Sequence, residues 1–192
     1  MDDGIRRTRT TKEYHKFDET TLAVKTIDYP HHEIHDGNGY VINEAYDLPI
    51  NNVIDVRITT ASTDIYSHFL LNFDTESQYE WWFYEDATIV GTTSPYIPLN
   101  QNRNSDNTSG NTVSIITNAT LALATSDTNT ASATTLMHGY SGSGKQEGGT
   151  DGTREEWILK SNTTYCFRAE AVAAGYIHGN MTWYEHRNNR KR

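Results

Sequence analysis

The chain has 192 residues, with 35% hydrophobic, 21% charged and 11% aromatic side chains, and a formal net charge of −9. That length fits one domain with a sizeable core, and the acidic balance argues against a general nucleic-acid binder, which needs a basic field over its binding face. The one cysteine, Cys166, excludes an intramolecular disulfide. No run approaches the ~20 apolar residues of a membrane span, and the start "MDDGIRRTRT" has no apolar segment, so neither a membrane partner nor a signal peptide is expected.

In chain order, residues 1–25 read as an extended arm: charged, Thr-rich, with the cations Arg6, Arg7, Arg9 and Lys12 and the scattered anchors Tyr14 and Phe17. Such a segment buries too little to offset its ordering entropy and orders by lying on a neighbour. Next comes "HHEIHDGNGY" (31–40), with ligand-type side chains at His31, His32, Glu33, His35 and Asp36. The zincin pattern needs His-Glu-x-x-His on a helix. Here the order is His32-Glu33-Ile34-His35, one residue short, and Pro30 and the "DGNG" turn leave little room for a helix. The expectation is a polar strand entering a turn, with no metal bound.

Alternating or apolar runs follow at 53–60, 66–74, 79–86, 111–117, 155–160, 163–173 and 179–186, separated by turn residues. No crossover helices intervene, which predicts an antiparallel sandwich or jelly roll of about eight strands. "YEWWFYED" puts two aromatics on each strand face, for two-sided burial or for a sugar-stacking platform at Trp81 or Trp82. A short helix is expected somewhere in 123–137. Loops are expected at 100–111, where Arg103 sits among amides as a structural anchor, and in the Gly-rich 139–153. Within the latter, Gly139, Gly144 and Lys145 mimic part of a P-loop, but Gln146 stands where Ser or Thr should hold magnesium. Cys166, in "TTYCFRAEA", reads as a buried structural thiol. The acid pairs Glu155-Glu156 and Glu85-Asp86 point to opposite strand faces and make no dyad. No catalytic residue and no cofactor is expected. Residues 26–187 form one β-sandwich domain, and 188–192 a basic tail.

The pieces "NQNRNS", "ILKSNTTYCFR" and "WYEH", in that order, with the upstream "HHEIHDGNGYVI", resemble virion structural proteins of tailed bacteriophages over residues 25–186. The resemblance implies a jelly-roll-like β-sandwich and a non-enzymatic capsid decoration, or cement, protein. Such a protein is made in the host cytoplasm and sits on the phage head as a homotrimer. Its expected partner is the major capsid protein, with contacts assigned to Arg6, Arg7, Arg9, Lys12, Tyr14, Phe17, Trp81 and Trp82. A head-fibre base or tail component, and a carbohydrate-binding module, are the alternatives.

Overall fold

A computed structural model describes residues 29–61, 64–87, 93–118, 133–142, 146–147 and 156–187. The arm at 1–25 and the basic tail at 188–192 lie outside them, as do Arg6, Arg7, Arg9, Lys12, Tyr14 and Phe17. The described chain is an antiparallel β-sandwich with one short helix, α1 (Tyr29–His35). The strands are β1 (Gly39–Leu48), β2 (Val53–Thr59), β3 (Ile65–Thr75), β4 (Tyr79–Glu85), β5 (Thr93–Tyr96), β6 (Leu99–Asn100), β7 (Thr112–Asn118), β8 (Thr134–Ser141), β9 (Gln146–Glu147), β10 (Trp157–Leu159), β11 (Thr164–Ala171) and β12 (Gly175–Arg187).

They form two six-stranded sheets. The first runs β10-β3-β12-β1-β6, with β9 also on β3, and the second β5-β7-β2-β11-β4-β8. Strands early in the chain pair with strands late in it: β1 with β12, and β2 with β11. The ends of the domain are thereby clasped into the sheet centres. Alternation sets the faces. In β12, Ile177, Met181, Trp183 and Glu185 are buried on one face, while on the other Tyr176 is exposed, His178, Asn180, Thr182 and His186 are half-buried, and Tyr184 is covered, a division by alternate residues. The inter-sheet core is aromatic: Phe69 stacks on Phe83 at 5.8 Å, and Phe73 packs edge-on against Trp81 at 5.0 Å. One small pocket of about 20 Å³ lies beside Ile42, Ile54, Phe167 and Met181.

Three expectations are corrected. Residues 31–35 are helical, not a strand. Pro30, in the first turn of the helix, has its φ held near the helical value by its ring, and the N–H it lacks would have had no intrahelical partner there. At the other end Gly37 takes φ +78°, and its amide donates to the Ile34 carbonyl while that of Asn38 donates to Glu33. This paired closure is the left-handed ending many helices use, so the residues that seemed to forbid a helix bound it. A Cβ on Gly37 would also stand 2.2 Å from Ser105 Oγ. Second, Thr134–Ser141 is strand β8, overlapping the end of the 123–137 stretch that could hold a short helix and the start of the Gly-rich loop expected at 139–153; pairing with β4 overrides weak local preference. The rest of the expected helix, 123–132, lies outside the described residues. Third, Trp81 is no contact residue: it is 8% exposed and belongs to the inter-sheet core.

Several expectations agree with the structure. Asn162 takes φ +52° in the turn between β10 and β11, and Cys166 is fully buried, its thiol pKa pushed well up by that burial.

Candidate functional site

The most developed polar site lies at one end of the sandwich, where α1, the 101–111 loop and the end of β12 enclose a cleft of about 690 Å³. The loop is rigidified by its own amides. Asn100 Nδ2 donates to the carbonyls of Gly37 (2.8 Å) and Asn107 (3.0 Å). Asn102 Nδ2 donates to the His35 carbonyl (2.8 Å), tying loop to helix. Arg103 donates to the Asn100 carbonyl at 3.3 Å, the anchoring role its amide-rich context predicts.

Glu185, buried on the inward face of β12, holds the other end of this loop. Its Oε1 accepts from Ser109 Oγ (2.5 Å) and Trp183 Nε1 (2.9 Å), and its Oε2 from the Gly110 amide (2.9 Å). With both oxygens engaged, this carboxylate is a structural clamp. Glu33, buried on the inner side of α1, accepts from Asn38 Nδ2 at 2.9 Å. Glu33, Asp36, Asp106 and Glu185 outnumber Arg187 among the charged lining residues. The tyrosines register this environment. Burial, with the Glu185 charge, pushes the Tyr40 hydroxyl up to about 12, and burial with the Glu33 hydrogen bond raises Tyr29.

The cleft continues onto the outer face of the first sheet through His186 and Tyr29. Tyr29 meets Tyr184 and His186 edge-on at 5.9 and 5.8 Å. Tyr184 stacks on His68 at 4.5 Å and donates to Glu156 Oε1 at 2.7 Å. Burial and this carboxylate raise the Tyr184 hydroxyl well above its ordinary value. His68 Nδ1 also contacts Glu156 Oε1, and His68 Nε2 lies 2.7 Å from His186 Nε2. Cross-strand register explains the cluster: His68 faces Tyr184 and Tyr66 faces His186 across β3 and β12, with Ile158 of β10 opposite His68.

His31 and His35, one helical turn apart, bring their Nε2 atoms to 3.0 Å on the exposed side of α1. A pairing one turn apart was not legible while these residues were read as a strand. Among the described residues, no three or more His, Cys, Asp or Glu converge in a way that could hold a metal ion. No described helix is long and apolar enough to cross a membrane.

The aromatic strand β4 divides its side chains between the two faces. Trp81 and Phe83 enter the core, while Trp82 lies on the outer face, stacked on His138 at 5.1 Å with rings 4° from coplanar. One face of the indole is therefore already covered. Tyr84 is buried on that same side, giving the two-sided burial that the aromatic run suggested. The structure brings Trp82 together with His138, not with Trp81. Sequence reasoning missed the His68–Glu156–Tyr184–His186 group because His68, Glu156 and the Tyr184/His186 pair come from three strand regions 28 to 118 positions apart, and only the sheet register unites them.

No family model, curated protein or solved structure matches the chain.

Proposed function

We propose that this is a non-enzymatic structural protein of a tailed-bacteriophage virion, a capsid decoration protein that binds the outer head shell and stabilises it. The observation that carries the reading is the filled sandwich. With the inter-sheet space of the described residues filled by one contiguous core of aromatic and aliphatic side chains, recognition falls to the outer surface and the chain ends, as a shell-binding module requires. The strand order supports the same reading. Setting aside β5, β6, β7 and β9, the remaining eight strands pair as β10-β3-β12-β1 and β2-β11-β4-β8, the nested arrangement of a jelly roll.

Charge supports a role for the ends. Residues 1–28 hold six cations and six anions, and 188–192 hold three cations; removing both from the formal −9 leaves −12 on residues 29–187. Tyr29 and Arg187, the outermost described residues, both line the acidic cleft. Exposed apolar side chains at Ile97 (82%) and Leu99 (49%), beside the sheet edges, add contact surface for a neighbouring subunit. A homotrimer on the major capsid protein would multiply modest single-site contacts through multivalency.

The test is occupancy on purified capsids. Deleting residues 1–16 should weaken binding while the circular dichroism and melting of the body stay unchanged. Undiminished occupancy after that deletion overturns the arm-mediated contact. Imaging of the particle, placing the chain at a fibre base or on the tail, would overturn the decoration role itself.

A further inference from the structure

We propose that His68 and His186 form a two-histidine binding site for a divalent transition-metal ion such as Zn2+, Ni2+ or Cu2+, on the outer face of the first sheet. Cross-strand packing brings one nitrogen of each ring to the same point. A neutral imidazole carries one N–H and one lone pair. His68 Nδ1 faces the Glu156 carboxylate and, at 3.0 Å, the Tyr184 hydroxyl, while His186 Nδ1 lies 3.3 Å from the Arg187 carbonyl. The two Nε2 atoms meet across 2.7 Å, the span of a hydrogen bond in which one shared proton joins two ring nitrogens, and a divalent cation can take that proton's place between them.

The surroundings have the form of a metal site's outer partners. A carboxylate on the far nitrogen of a ligating histidine fixes the ring's tautomer and strengthens its Nε2 as a donor. Glu156 occupies that position on His68, and Tyr184 holds Glu156 in turn through a 2.7 Å hydrogen bond. Imidazole nitrogen selects zinc, copper and nickel over magnesium and calcium. Two Nε2 atoms on a tetrahedral ion at about 2.0–2.1 Å stand roughly 3.3 Å apart, so the rings need open by only about 0.6 Å. His186 also lines the cleft, through which water reaches the ion and completes the coordination that two protein ligands leave open.

The test is calorimetric titration of the full-length protein with ZnCl2 and, separately, NiCl2, with electron paramagnetic resonance of the Cu2+-loaded protein reporting the number of bound imidazole nitrogens. The expected result is one equivalent per chain and a two-nitrogen Cu2+ spectrum. Affinity should fall more than tenfold in His68→Asn and in His186→Asn, and about tenfold in Glu156→Gln, the usual effect of losing an outer partner. The His31→Asn/His35→Asn double variant should bind as the parent does, which separates this site from the exposed pair on α1. Should His68→Asn fail to fold, His186→Asn, at the strand end, and Glu156→Gln carry the comparison. Binding unaffected by His186→Asn, binding lost only with the α1 pair, or a parent titration matching that of His186→Asn would each overturn the site.

Discussion

The two sheets share one core but differ along their outer faces: both leave a tyrosine exposed, Tyr140 on the second and Tyr176 on the first, yet among the described residues the ion pair with both side chains buried lies on the second. On the second sheet, Arg168 forms a bidentate pair with Asp55, Nε to Oδ1 and a terminal nitrogen to Oδ2, both at 2.7 Å, with both side chains almost wholly buried. Tyr84, Ala87, Ile116 and Cys166 build a separate apolar cluster on that side. The first sheet instead carries Tyr176 and Ile158 in the open and the half-exposed pair His178–Asp74. The strands record the difference. β11 is buried on both faces along most of its length, whereas β3 alternates buried and half-buried positions. A strand covered on both sides tolerates polar groups only when they are paired, while a strand covered on one side can display them.

The largest effect expected from this contrast is at Asp55. Asp55→Ala leaves the Arg168 guanidinium buried without its carboxylate and should cost about 3–5 kcal/mol, measured as a fall in the urea midpoint at constant slope. A loss below about 1 kcal/mol would mean that the second sheet's outer face is as open as the first's.

Glu185 tests the end of the sandwich. Glu185→Ala takes the acceptor from the Ser109 hydroxyl and the Gly110 amide and leaves the buried Trp183 indole N–H without its partner, and should cost about 2–3 kcal/mol. Faster proteolysis within 101–111 should accompany it, since this carboxylate holds the loop's far end.

On the first sheet the corresponding deletion should hardly register. Asp74→Ala removes a 3.7 Å pair with His178 that water and salt already screen, and should change stability by no more than about 0.5 kcal/mol. A larger loss would equalise the two faces.

The smallest effect is one of sign. Glu170 lies on β11 where burial begins to fade; burial, then the nearby Glu80 charge, raise its pKa against the opposing pull of Arg168. The folded state therefore holds this proton to higher pH than the unfolded chain does. Its contribution is most favourable below the unfolded value of about 4.3 and is lost as pH rises through the raised folded value. Glu170→Gln should be more stable than the parent at pH 7, and the advantage should vanish in acid. An advantage independent of pH would trace the gain to packing instead.

These contrasts also mark how far local pattern carries. The strands at 53–60, 66–74, 79–86 and 163–173 were legible because period-two alternation and β-branched or aromatic runs need no partner to be recognised. The boundary residues of α1 are ambiguous in sequence: Pro30 and Gly37 disfavour a helix interior yet fit a helix's first turn and its left-handed end. Strand β8 was hidden because Thr and Gly have weak preferences of their own, and pairing with β4 decides them. The His68–Glu156–Tyr184–His186 group had no sequence signal at all.

By itself, then, the sequence determined an all-β domain, the alternation of strand faces, the turn at Asn162 and the burial of Cys166, because these follow from side-chain period and backbone preference within a few residues. Tertiary structure alone decided which outer face is covered, that Asp55 meets Arg168, and that His68 meets His186. Those outcomes depend on the order in which distant strands pair, and a one-residue slip in register would turn each of these side chains to the opposite face.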